Sequence, residues 1–256
     1  VEKGALRGGR PGLSICDKAN GGMWVTAPTV ALFETAMENA LVIGASGGIG
    51  SALAGRLEGQ GVAVTRLSRS ADGFDITDSA SVDAGLDGLG PFDLVIVATG
   101  ILAAPGAAPE KSLSAIDAAA MTRAFAVNAI GPALILRHAP RLLPRDRPAR
   151  IAVLTARVGS IGDNRIGGWH SYRASKAAAN MIVHGAAIEL ARTHKHATCV
   201  ALHPGTVATP FTADYADHNP TVPPDEAARN LLSVIADLGP DDTGGFFDWA
   251  GERVEW

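Results

Sequence analysis

A short apolar run, Ala40–Ile43, leads directly into Gly44-Ala45-Ser46-Gly47-Gly48-Ile49-Gly50, and residues Ile49–Glu58 then read as a helix. A strand that ends in a glycine turn and opens at once into a helix leaves few folds available. Glycine reaches backbone angles closed to other residues and lets the main chain approach a pyrophosphate closely. The helix that follows offers unsatisfied N–H groups and the positive end of its dipole. The segment therefore predicts a dinucleotide-binding turn built from Gly44, Ser46, Gly48, Ile49 and Gly50.

The rest of the chain repeats the alternation. Further apolar runs lie at Val62–Leu67, Leu94–Ala98, Ile151–Thr155 and Thr198–Leu202. They are short, rich in Val, Ile, Leu and Ala, and not strictly alternating, as expected of strands in a parallel sheet covered on both faces. Helices are expected near Ser79–Leu86, Ala119–Leu143, Ser171–Thr193 and Asp225–Leu238. The pattern predicts a single-domain α/β fold, a Rossmann-type doubly wound parallel sheet flanked by helices. That domain is expected to span 37–256. The glycine-rich residues 1–36 lack periodicity and read as a leader or extension, disordered or lying upstream of a natural start at Met37.

Composition narrows the function. The chain has 256 residues, of which 47% are hydrophobic and 19% charged, which excludes a disordered polymer. With 22 basic against 26 acidic residues, the formal net charge of −4 speaks against nucleic-acid binding, where cations must neutralise phosphates. No uninterrupted apolar stretch approaches the roughly 20 residues of a membrane span, and no membrane partner is expected. Two cysteines, Cys16 and Cys199, are too few for a disulfide framework or a four-thiolate metal site. No metal is expected, and a cytoplasmic location is.

Tyr172-Arg173-Ala174-Ser175-Lys176 carries the most specific chemistry. Residues four apart on a helix share a face, so Tyr172 and Lys176 are expected side by side. A phenol has a pKa near 10, too high for efficient proton exchange at neutral pH, and a neighbouring ammonium lowers it. The pair therefore predicts a tyrosine general acid–base, following a nucleotide-binding turn in chain order.

The spacing Gly44-x-x-x-Gly48-x-Gly50, together with Tyr172-x-x-x-Lys176, resembles the short-chain dehydrogenase/reductase family. The resemblance spans about residues 38–256. Arg157–Asn164, Gly167-Gly168-Trp169 and Thr243–Trp249 are similar to its carbonyl-reductase branch related to the bacterial C-factor protein. It implies NAD(P)-dependent carbonyl/alcohol interconversion on a small molecule by a homodimer or homotetramer. It also implies that Asn128 holds a water in a proton relay to Lys176, while Lys176 holds the ribose. Asp75 and Ile76 would meet the adenine, Gly100 would close the strand before it, and Pro204, Val207 and Thr209 would meet the nicotinamide and pyrophosphate.

At the end of the second run the acidic place of NAD enzymes falls on Ser68, with Arg69 beside it. A hydroxyl and a guanidinium suit a 2′-phosphate, so NADP(H) is expected ahead of NAD(H). The family's carbonyl-orienting serine falls on Ala156, which has no hydroxyl, leaving Ser160, or alternatively Thr155, to serve. The expected activity is an NADPH-dependent carbonyl reductase with Tyr172, Lys176, Asn128 and Ser160 as catalytic residues. An NAD-dependent alcohol dehydrogenase and a non-catalytic NADP(H)-binding signalling protein are the alternatives. Phe211–Pro223, with Phe211 and Tyr215, is expected to cover the substrate pocket.

Overall fold

The computed structural model describes residues 37–103, 107–212 and 220–256. The expected leader at 1–36 and Tyr215 lie outside the described residues. In chain order the elements are β1 (Asn39–Ile43), α1 (Gly48–Gly59), β2 (Ala63–Leu67), a single turn α2 (Arg69–Asp72), α3 (Ser79–Leu86) and β3 (Leu94–Val97). There follow α4 (Ala118–Phe125), a π-helical segment (Ala126–Ile130), α5 (Gly131–Leu136), a short α6 (Ala139–Leu142) and β4 (Ala149–Leu154). The chain closes with α7 (His170–Leu190), β5 (Ala197–His203), α8 (Pro224–Asp237) and β6 (Phe246–Asp248).

The strands form one six-stranded parallel sheet in the order β2-β1-β3-β4-β5-β6. Every residue of β3 is buried, because helices cover both faces. Alternate strand residues feed two separate cores. Leu41, Val95, Val97 and Ile151 pack with Ile135 and Val183 on the α5 and α7 side. Val42, Ile96, Ala152 and Leu202 pack with Leu53, Leu57 and Leu231 on the α1 and α8 side. Fully burying each such Val, Leu or Ile contributes about 1.5–3 kcal/mol. Cys199, on β5, is a buried core thiol, and burial pushes its pKa up to about 12.

Since all strands run the same way, their carboxyl ends share one edge. The order turns back at β1, whose neighbours are β2 and β3, and the crevice outside such a switch point is where open α/β sheets bind ligands.

Three elements depart from the sequence expectation. The helix expected over Ala119–Leu143 is α4, a π segment, α5 and α6. Pro132 has no N–H to close an α-turn on the Asn128 carbonyl, so the ladder widens there; Pro140 ends α5 in the same way. The strand β6 was not expected, being only three residues long. Finally, among the described residues one helical run, Ala118–Leu136, is long and apolar enough on average (mean hydropathy 1.4) to cross a membrane. It contains Arg123 and Asn128 and packs against α7.

Candidate active site

The glycine turn is held from below and crowded from above. The N–H groups of Gly44 and Ala45 both donate to the Leu67 carbonyl of β2, at 2.8 and 3.2 Å. Gly44 has φ +87°, a left-handed angle that disfavours side chains. A Cβ on Gly50 would lie 2.2 Å from the Gly44 carbonyl oxygen, and one on Gly48 would lie 2.5 Å from the Thr209 methyl. The turn thus brings the start of α1 against the segment after β5. Gly47, the N-cap of α1, has no side-chain capping bond, and Ser46, Gly47 and Gly48 are exposed. A helix N-terminus left uncapped by side chains and lined by glycine fits a pyrophosphate group. Ile49 turns into the core beside α1.

At the end of β2 the structure alters the expectation. Ser68 is buried, its hydroxyl accepting from Ala71 N and donating to the Asp72 carboxylate at 3.1 Å. Asp72 also accepts from Ser68 N at 2.8 Å. The hydroxyl expected to meet a 2′-phosphate therefore caps α2 instead, because a β-region serine before a helical turn finds an orphan N–H first. Arg69 is exposed and lines a cavity of roughly 660 Å³ with Asp75, Thr77 and Val127. Asp75 accepts from Thr77 N and Oγ1, at 2.9 and 2.7 Å, which holds its carboxyl below the usual range; Asp78, not Asp75, caps α3. Ile76 is buried against Gly131. Arg123 of α4 lines the same cavity and was missed from the sequence, where nothing in the spacing links it to the turn.

Tyr172 and Lys176 lie on one face of α7, both buried, with the ammonium 5.9 Å from the phenol ring centre. Lys176 Nζ donates to the Leu154 carbonyl at the end of β4, at 3.0 Å. Burial, not the ammonium, dominates the tyrosine: desolvation raises its pKa above 10.0, whereas the sequence reading expected a depression. The same burial pushes Lys176 down to about 8. Gly100 closes the gap from β3, since a Cβ there would sit 3.3 Å from Lys176 Nζ and 3.4 Å from Asn128 Oδ1.

Asn128 is wholly buried and fully engaged. Its Oδ1 accepts from Ile101 N at 2.8 Å, and its Nδ2 donates to the Ile101 carbonyl and to Ser175 Oγ, at 2.9 and 3.0 Å. Ser175 Oγ donates in turn to the Tyr172 carbonyl at 2.8 Å. The amide joins the loop after β3 to α7. Ser175 was not foreseen, since a helical serine has many local uses.

Ser160 Oγ is buried and accepts from Asp163 N at 3.0 Å. Thr155 is equally buried. Arg173 donates to the carbonyls of Val158, Gly167 and Gly168, tying this loop to α7. The Glu110 carboxylate accepts from Ser171 N and Oγ, fixing the first turn of α7 from the loop after β3. The rings of Trp169 and Phe211 stand 6.2 and 6.1 Å from that of Tyr172. Beyond β5, Pro204 precedes Gly205 (φ +78°), and Val207 is buried in a bridge to Val222. The Val207 carbonyl accepts from Thr212 and from Thr209 Oγ1. Among the described residues no cluster of three or more His, Cys, Asp or Glu could hold a metal.

Comparisons with known proteins converge on one family. The family profile described as short chain dehydrogenase matches residues 71–220. The 1-hydroxy-2-glutathionyl-2-methyl-3-butene dehydrogenase of Rhodococcus sp. (strain AD45) is 31% identical over 86% of this chain and 100% of its own length. The C-signal protein of Myxococcus xanthus is 40% identical over 57% of this chain and 84% of its own. The NADPH-bound carbonyl reductase from chicken fatty liver shares the fold, with a TM-score of 0.70 at 22% identity, covering 86% of this chain and 99% of that one. With its six-stranded parallel sheet, glycine turn and matching profile, this chain belongs to the short-chain dehydrogenase family of oxidoreductases.

Proposed function

We propose that the protein is an NADP(H)-dependent oxidoreductase interconverting a small-molecule carbonyl and an alcohol, with Tyr172 as general acid and base. The observation that carries this reading is the buried Tyr172–Lys176 pair at the sheet edge that also bears the Gly44–Gly50 turn. Gly44, Gly48 and Gly50 would cradle the pyrophosphate with Thr209, and Lys176 would reach the ribose. The nicotinamide, when bound, supplies or accepts the hydride. In reduction Tyr172 Oη gives its proton to the carbonyl oxygen and is left as the phenolate; in oxidation that phenolate takes the alcohol proton. Burial keeps the phenol protonated, as a proton donor requires, and leaves the nearby ammonium ready to give its proton up near pH 8. Asn128 and Ser175 keep the two groups on one side of the cleft.

The exposed Arg69 supports NADP(H), as does the NADPH in the chicken liver relative. Asp72, bonded to Ser68, is the observation that favours NAD(H) instead. Ala156 favours a nucleotide-binding protein without turnover. The Rhodococcus relative, a dehydrogenase named for a hydroxyl compound, supports an alcohol or carbonyl substrate. Exposed Ile130, Met181 and Ile188 support self-association into a homodimer or homotetramer.

Absorbance of NADPH, followed across a panel of ketones and aldehydes, tests the reading. Tyr172→Phe should lower turnover by about 10²–10⁴-fold while NADPH binding persists. Retained turnover in that variant removes Tyr172 from the chemistry, and tight NADPH binding by the parent without turnover of any carbonyl favours the non-catalytic reading.

A further inference from the structure

The cavity beside β2 has two cationic walls. Arg69 stands at the start of α2 and Arg123 in the last turn of α4, and both line the same roughly 660 Å³ space. The hydrogen bonds from Thr77 hold the Asp75 carboxyl down first, and the charges of Arg69 and Arg123 add to that to a lesser degree. Neither has an ion-pair partner among the described residues. That contrasts with Arg56, Arg66, Arg137, Arg147 and Arg157, each paired with a carboxylate. Asp75 is engaged by Thr77, so the cavity is lined by two cations and one already hydrogen-bonded anion. Its remaining wall is mostly small and apolar, from Ala118, Ala119, Thr122, Ala126 and Val127. An apolar wall with a doubly cationic rim suits a flat heterocycle that carries a phosphate.

We infer that Arg123 reads the 2′-phosphate of a phosphorylated adenine nucleotide from the α4 side, opposite Arg69, so that cofactor preference is set by a two-sided clamp with Ser68 excluded. This rests on the NADP(H) reading above. Arginine suits the task because its planar donors match phosphate oxygens in pairs. Both side chains are exposed, so the discrimination should weaken as salt rises.

The test is calorimetric titration with adenosine 2′,5′-bisphosphate and with 5′-ADP, which needs no turnover. The parent should prefer the bisphosphate, and Arg123→Ala should lose at least about tenfold in affinity for it while 5′-ADP changes less than about twofold. Arg123→Lys should recover part of the loss. Thermal melts of each variant check folding, which an exposed side chain should not disturb. If Arg123→Ala leaves the preference intact while Arg69→Ala abolishes it, the clamp is overturned and the NADP(H) reading stands. If the parent does not distinguish the two nucleotides, both fall.

Discussion

Lys176 Nζ lies 5.9 Å from the centre of the Tyr172 ring, one helical turn away, and both groups are buried. Burial acts on them in opposite senses, disfavouring the charged form of each: the phenol is pushed up and the ammonium down to about 8.

A dependence of stability on pH follows from the lysine. Its pKa is lower folded, about 8, than the ordinary 10.5, so between those values the unfolded chain binds more protons. Stability therefore rises with pH across that window, by at most about 1.4 kcal/mol per pH unit. Lys176→Met should abolish this rise. Tyr172 and Cys199, which titrate the other way, remain in both proteins and cancel. Denaturant midpoints of parent and variant from pH 7 to pH 10 should converge or cross as pH rises, and parallel curves would show that the lysine titrates normally.

The Asn128 amide is predicted to hold structure. Asn128→Ala leaves Ile101 N–H, Ile101 C=O and Ser175 Oγ without that partner. A buried polar group stripped of its partner costs about 1–3 kcal/mol. Ser175→Ala should cost less, about 1–2 kcal/mol, because it removes two hydrogen bonds where Asn128→Ala removes three. Urea midpoints measure both; equal small losses would mean that the bridge is dispensable.

Two glycines of the first helix should respond oppositely to alanine. At Gly50 the new methyl meets the Gly44 carbonyl at 2.2 Å, backbone that cannot move without opening the turn. A loss of about 3 kcal/mol or more is expected. At Gly55, where nothing lies within 4 Å, alanine should stabilise by about 0.5–1 kcal/mol through helix propensity. Melting temperatures of the two single variants decide it.

Ala156 lies at the start of the loop after β4, where the family places a serine, while Ser160 is occupied by Asp163 N. Ala156→Ser should raise kcat/KM on any carbonyl the parent reduces. Ser160→Ala should leave kcat/KM within about twofold and lower stability by about 1 kcal/mol, one lost hydrogen bond. A collapse of turnover in the second variant returns the carbonyl contact to Ser160.

The strands, the glycine turn and the Tyr172/Lys176 pair were legible in the sequence because each follows from local rules. Those rules are apolar runs of strand length, glycine where the backbone must crowd, and a four-residue spacing on a helix. The break of the long central helix was equally written in Pro132 and Pro140, though the apolar run around them reads as continuous. What the linear order did not determine was partnership across distance. Ser175 became the link between Asn128 and Tyr172, Glu110 the anchor of Ser171, and Arg123 the neighbour of Arg69 only when separate elements met at one edge of the sheet. Likewise the Ser68 hydroxyl found the Asp72 carboxylate, and Ser160 Oγ the Asp163 N–H. A polar side chain binds whichever partner folding brings nearest, and spacing along the chain does not name that partner.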